Sequence, residues 1–150
     1  MGISVLVFSF VGNKVIFRNS LQYRIARRGA EMLAIDGKMV YSTCSLNPIE
    51  DEAVIHRLLL EAQGSLVLEE VAEKVPGLKY VPGLSHWTVM SRDLTAFKTP
   101  EEVPETLKHS IRGSLFPPKA EDADKFNLKR WYVCKKAPGA VYIFLNQIYI

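Results

Sequence analysis

Of the residues that do covalent chemistry, the two cysteines stand out, Cys44 and Cys134. Only Cys44 has neighbours arranged around it. It falls in Lys38-Met-Val-Tyr-Ser-Thr-Cys-Ser-Leu-Asn-Pro-Ile-Glu-Asp-Glu52. The thiolate is the reactive form, and a helix N-terminus nearby lowers a thiol pKa. Glu50, Asp51 and Glu52, close in sequence, work against that lowering. Two readings follow from residue type. Cys44 is either a small, buried, inert thiol or a nucleophile held in a tight turn.

The elements that must hold it are legible. Lys38 to Thr43 is β-branched and aromatic enough for a strand. Asn47 is a good helix N-cap, Pro48 suits the first helical position, and Glu50 stands three residues on, as in a capping box. The three acids are expected in the first turn, facing the positive end of the helix dipole. Cys44 is thus expected at the carboxyl edge of a strand, where open α/β sheets place their ligands.

Other candidates are weaker. The three histidines, His56, His86 and His109, share no motif. A thiol hydrolase using Cys44 and His56 is disfavoured, because His56 lies on a helix running away from the turn. Two cysteines make no disulfide framework, and neither has metal-ligand spacing. Arg24, Arg27 and Arg28 share one helix face by the three-and-four rule. That face is either a solvated surface or a contact for an RNA backbone.

The rest of the chain sets the frame. At 150 residues it is one domain at most, long enough for a real core. Its 48% hydrophobic and 23% charged content describes a globular chain, and the net charge of +3 permits RNA binding without demanding it. Ile3 to Val11 is an apolar run too short to span a bilayer, which takes about 20 residues, so it is expected as a buried strand. Ser20 to Ile35 reads as a helix, and Asp36-Gly37 as its stop. Ile49 to Gln63 repeats apolar residues at helical spacing, and Ser65 to Val71 is another strand candidate. Helix, strand, helix, strand is the rhythm of an α/β sheet. Beyond Val75 a hairpin is expected, with Leu78 to Val81 pairing His86 to Met90. Trp87 is expected in the core, Asp93 to Arg112 as a loop, and Lys119 to Arg130 as a polar helix.

Tyr41-Ser-Thr-Cys-Ser-Leu-Asn-Pro-Ile-Glu-Asp-Glu52, preceded by Leu21-Gln-Tyr-Arg-Ile-Ala-Arg-Arg-Gly-Ala-Glu-Met-Leu33, resembles the Sun-domain RNA cytosine-5 methyltransferases, above all their eukaryotic tRNA branch. Pro76-Gly-Leu-Lys-Tyr-Val-Pro-Gly83 and Leu115-Phe-Pro-Pro118 resemble it too. The resemblance implies an α/β fold, the carboxyl half of a Rossmann-like methyltransferase domain, with parallel strands and an appended antiparallel hairpin. It implies Cys44 as the nucleophile that attacks a cytosine, S-adenosylmethionine as methyl donor, and RNA, in particular tRNA, as partner. No metal and no membrane enter the chemistry, and the expected location is intracellular, in the nucleus.

The resemblance runs over residues 20–130. Residues 1–19 and 131–150 depart from the family pattern. In the family the Gly-rich adenosylmethionine loop and an Asp-Ala-Pro-Cys segment precede this region, and neither occurs here. Upstream of Ser20, Gly2 and Gly12 are isolated. Cys134, in Val-Cys-Lys, does not replace the second family cysteine. The 150 residues by themselves are therefore expected neither to bind the donor nor to turn over. The alternative is an inactive RNA-binding or interaction remnant of the same domain.

Overall fold

The computed structural model describes residues 3–8, 15–43, 45–69, 80–126, 132–134 and 144–149. Strand β1 (Ile3–Phe8), helix α1 (Val15–Glu31), strand β2 (Lys38–Thr43), helix α2 (Glu52–Ala62) and strand β3 (Val67–Glu69) follow one another in an α/β alternation. β1 and β2 pair in parallel, with Phe8 opposite Thr43. The last strand, β8 (Phe144–Tyr149), pairs antiparallel with β2 and with β3. β1, β2 and β3 therefore point one way and β8 runs against them. β7 (Tyr132–Cys134) pairs antiparallel with β8, and with β4 (Tyr80–Pro82).

α1 starts five residues before the expected Ser20, because Val15 continues the helix in the amino-terminal direction. It also ends earlier, at Glu31. The last turns tighten into three-residue bonds, Met32 N to Gly29 O and Leu33 N to Ala30 O. Asp36 then takes φ +59°, and Gly37 N donates to Ala34 O at 2.8 Å. A Cβ on Gly37 would lie 2.6 Å from that carbonyl oxygen, so the turn into β2 requires glycine. Met32 and Ile35, inside the expected helix, end up exposed beyond it.

The main core lies between the helices and the sheet. Tyr23, Ala26 and Ala30 of α1 meet Val54, Ile55, Leu58 and Leu59 of α2 over Met39, Tyr41 and Leu68. Each fully buried large side chain there contributes about 1.5–3 kcal/mol. α2 closes at Gln63 and Gly64, both with positive φ.

A second, smaller core gathers Val89, Phe97, Val103, Ile111, Leu115 and Phe116. The expected hairpin is present with different partners. β5 (Val89–Met90) pairs with β6 (Ala96–Phe97), not with the Tyr80 segment. The turn is built by Ser91 and Asp93: Ser91 N donates to Thr95 O, and both the Ser91 and Thr95 hydroxyls donate to the Asp93 carboxylate. The polar stretch 93–112, expected as loop, thus holds β6, a 3₁₀ turn at Pro100–Glu102 and α3 (Glu105–Lys108). Short elements of this kind carry too little periodicity to show in a sequence. Trp87 packs on this core and its indole N–H donates to Leu115 O at 2.8 Å. α4 (Ala120–Lys125) falls where a polar helix is expected. β8, Phe144 to Tyr149, fills the slot between β2 and β3.

Candidate functional site

β2 ends at Thr43 and the chain turns through residues 45–51 before α2. Cys44 itself lies outside the described residues, as does the side chain of Cys134. The residues on either side of Cys44 are fixed by a ladder of side-chain-to-backbone bonds. Ser45 N donates to Thr43 Oγ1 at 3.1 Å, Asn47 N to Ser45 Oγ at 3.1 Å, and Ile49 N to Asn47 Oδ1 at 3.0 Å. Each polar side chain satisfies the amide two residues on, in place of the strand or helix partners that the turn lacks. The alternation Thr, Ser, Asn at 43, 45 and 47 is the sequence form of this ladder.

Three buried side chains hold the far end of the turn. Asn19 Nδ2 donates to Ile49 O at 2.6 Å, Gln22 Nε2 to Glu50 Oε2 at 3.3 Å, and the Tyr41 hydroxyl to Glu50 O at 2.7 Å. Asn19 and Gln22 were not among the residues expected to matter. The signal was available, since both fall in helical register with Tyr23, Ala26 and Ala30. They are polar side chains on the buried stripe of α1.

The acidic triplet differs most from expectation. Asp51 caps α2 and Glu52 opens it, yet Glu50, Asp51 and Glu52 are all buried, at 3%, 1% and 5% exposure. α2 proper starts at Glu52, four residues after Pro48. Asn47 caps a single preceding turn, with Glu50 N donating to Asn47 O at 2.8 Å. The reciprocal half of a capping box is not made, because Asn47 N goes to Ser45 Oγ and the Glu50 side chain receives Gln22. Asp51 Oδ1 accepts the Thr43 hydroxyl at 2.6 Å, and Glu52 Oε1 accepts Leu84 N at 3.0 Å. Burial raises the Glu52 pKa, against the Leu84 N–H, which lowers it. Burial, and then the charges of Asp51 and Glu50, push the Tyr41 phenol well above its ordinary value.

The other candidates sit elsewhere. Arg24, Arg27 and Arg28 are exposed on α1. Arg27 and Arg28 both pair with Glu31, at 3.0 and 3.2 Å. His56 faces Asp122 of α4 at 3.8 Å and the Phe126 ring. Burial lowers its pKa, against the pull of Asp122. It is part of a contact between α2 and α4. A cleft of about 330 Å³ is lined by Tyr23, Arg27, Leu58, Glu61 and Leu66 among others. It opens beside Ser65 and Leu66, at the amino-terminal edge of β3, so it lies at the opposite edge of the sheet from the Thr43 turn. Among the described residues no group of three or more His, Cys, Asp and Glu side chains is placed to hold a metal ion. No described helix is long and apolar enough to cross a membrane.

No family model matches the chain. Curated relatives do. A tRNA (cytosine(34)-C(5))-methyltransferase of Drosophila melanogaster is 48% identical over 113 residues, 75% of this chain and 15% of that protein. Multisite-specific tRNA:(cytosine-C(5))-methyltransferases of Schizosaccharomyces pombe and Saccharomyces cerevisiae are 38% and 37% identical over 118 and 128 residues, 79% and 83% of the chain. The chain spans 15–18% of the length of these relatives. A methyltransferase homolog from Pyrococcus horikoshii has a similar structure, with TM-score 0.55 over 97% of this chain and 38% of the other, at 17% identity. That likeness shows the fold, the α/β fold of a methyltransferase, with β8 set against the direction of its neighbours. By sequence, about three quarters of this chain belongs with the eukaryotic tRNA cytosine-C5-methyltransferases, as one segment of them.

Proposed function

We propose that this chain supplies the nucleophile of an RNA cytosine-5 methyltransferase, with Cys44 as that nucleophile and tRNA as substrate. The Cys44 thiolate adds to C6 of an unpaired cytosine, forming a C–S bond and leaving C5 electron-rich enough to accept a methyl group. Once the C5 proton is lost, the C–S bond breaks and the thiolate is regenerated. Covalent catalysis of this kind divides one hard step into easier ones. The base is reached only outside its stack. One observation carries the reading: the ladder from Thr43 to Ile49 holds both neighbours of Cys44 in a fixed turn at the carboxyl edge of β2. The relatives that share this stretch are named for cytosine-C5 methylation of tRNA.

S-adenosylmethionine is the methyl donor of this proposal. The chain's own residues do not fit it. The sequence has no glycine-rich turn, and the cleft beside Leu66 lies at the wrong edge of the sheet. Methyl transfer and removal of the C5 proton are therefore assigned to parts of the domain beyond these residues. We place the methyltransferase likeness at residues 20–130, with 1–19 and 131–150 divergent, and the protein in the nucleus. Arg24, Arg27 and Arg28 are the proposed contacts to the RNA backbone.

The test is covalent trapping. The chain is incubated with tRNA transcripts containing 5-azacytidine and resolved under denaturing conditions. An adduct that disappears in Cys44→Ala is the expected result. Adduct formation unchanged by that substitution sinks the nucleophile reading and favours an RNA-binding remnant instead.

A further inference from the structure

The Thr43 hydroxyl has one proton and three neighbours. Its oxygen lies 2.6 Å from Asp51 Oδ1, 3.3 Å from Ser45 O and 3.1 Å from Ser45 N. The proton goes to the carboxylate, the nearer acceptor and the one that makes the stronger bond. A lone pair is then left turned toward the Ser45 N–H, which donates to it. Asp51 is 1% exposed and directly precedes α2, whose Ile55 N–H donates to the Asp51 carbonyl at 3.1 Å. The carboxylate therefore has a fixed origin on the helix and reaches back across the turn to the end of β2. We propose that Asp51 is a positioning residue for the Cys44 turn. Acting through Thr43, it orients the Ser45 N–H and so the peptide that joins Cys44 to Ser45. This rests on the reading of Cys44 as nucleophile. In it Asp51 touches neither base nor donor and transfers no proton. It fixes the Ser45 side of the turn, and small misplacement of a reacting group is costly in rate.

The geometry separates this role from two others. A carboxylate acting by its charge alone would work without Thr43. A carboxylate that merely stabilises the helix start would loosen α2 when removed, not the Ser45 amide in particular. The test uses this chain in a Cys134→Ser background, so that Cys44 is the one thiol left. Backbone hydrogen exchange is followed at Ser45, with the Ile55 amide as the reference for α2. Alkylation of Cys44 by iodoacetamide is followed against pH, and the limiting rate at high pH is compared. That limit reads how the thiolate is presented, not its pKa. Asp51→Ala and Thr43→Val should each speed Ser45 exchange by about tenfold, the scale of one lost hydrogen bond. They should leave Ile55 unchanged and shift the limiting alkylation rate by a common factor. Thr43→Ser and Asp51→Asn each keep the oxygen that the contact needs, and should stay near the parent chain on both readouts. Four results overturn the proposal: Ser45 exchange unchanged, Ile55 exchange rising in step with Ser45, Asp51→Asn behaving like Asp51→Ala, or a limiting rate indifferent to all four substitutions. Thr43→Val carries the test if Asp51→Ala does not fold. Failure of the nucleophile reading looks different. Trapping on RNA would then survive Cys44→Ala while the Ser45 amide still responds to Asp51.

Discussion

Replacing Tyr41 with phenylalanine removes one oxygen from a site that is completely buried. The ring stays in the main core, so packing is kept and the change isolates the hydroxyl. That hydroxyl donates to Glu50 O at 2.7 Å and is one of three side-chain ties on the turn before α2. A buried hydrogen bond contributes a net of about 0.5–1.5 kcal/mol, and removing one partner of a buried pair costs about 1–3 kcal/mol. Tyr41→Phe should therefore lower stability by about 2 kcal/mol. In a chain of this size each kcal/mol moves Tm by about 2–4 °C. The matched control is Tyr23→Phe. Tyr23 also packs in the core, but its hydroxyl bonds to Glu61, an exposed carboxylate that water reaches readily. That loss should stay below about 1 kcal/mol. Urea unfolding of both variants, followed by circular dichroism, gives the difference at constant m-value. If Tyr41→Phe unfolds at the same urea concentration as Tyr23→Phe, the Tyr41–Glu50 tie does not hold the turn.

Four further outcomes follow. Gly37→Ala forces a Cβ against the Ala34 carbonyl and should cost about 1–3 kcal/mol in the same urea assay, whereas Gly113→Ala meets only Pro100 side-chain carbons at van der Waals distance and should cost much less. Glu52, whose pKa burial raises, keeps its proton in the native state at a pH where the unfolded chain has released it. Stability should thus fall as pH climbs from the ordinary carboxyl range through the raised value, and Glu52→Gln, which keeps an oxygen for Leu84 N, should remove that fall; superimposable pH profiles would refute it. For His56 the sign reverses: burial lowers its pKa, so its contribution is complete above the ordinary imidazole value of 6.5 and declines as pH drops through it. His56→Gln should flatten the decline, and an unchanged acid limb in urea titrations between pH 5 and 8 would count against the buried contact with Asp122. If the α1 arginines meet an RNA backbone, Arg24→Ala should reduce the salt dependence of RNA binding by about 0.7–0.9 in log–log slope. Arg27→Ala should reduce it less, since Arg27 already pairs with Glu31, and equal slopes for parent and both variants would remove the patch.

The sequence made the strand-turn-helix around Cys44 plain because β2 and α2 are regular and their residues have strong preferences. The acids stand at the start of α2 as expected, but their burial and their partners were not legible, for a physical reason. Negative residues at a helix start have one general use, facing the dipole in water, and local rules assign them that use. Their actual partners, Gln22, Thr43 and Leu84, come from three other segments and are invisible to spacing. The same limit explains β8. Its two long-range partners decide its place, and no local pattern in Phe144 to Tyr149 announces them. The partner of β5 is not legible because two-residue strands have no periodicity to read, and the Ser91–Asp93–Thr95 turn that makes the hairpin has the composition of a loop. Asn19 and Gln22 are legible, as polar residues in apolar register.

The placement of β8 bears on how the protein is made. Synthesis delivers β2 and β3 long before the residues that separate them in the finished sheet. Until β8 clears the ribosome, the lane between those two strands is empty, and each has amides on offer to it. Pairings between segments so remote in sequence form slowly, and an open lane invites strands from other chains. A nascent copy stalled short of Phe144 should therefore be the species that chaperones must shield.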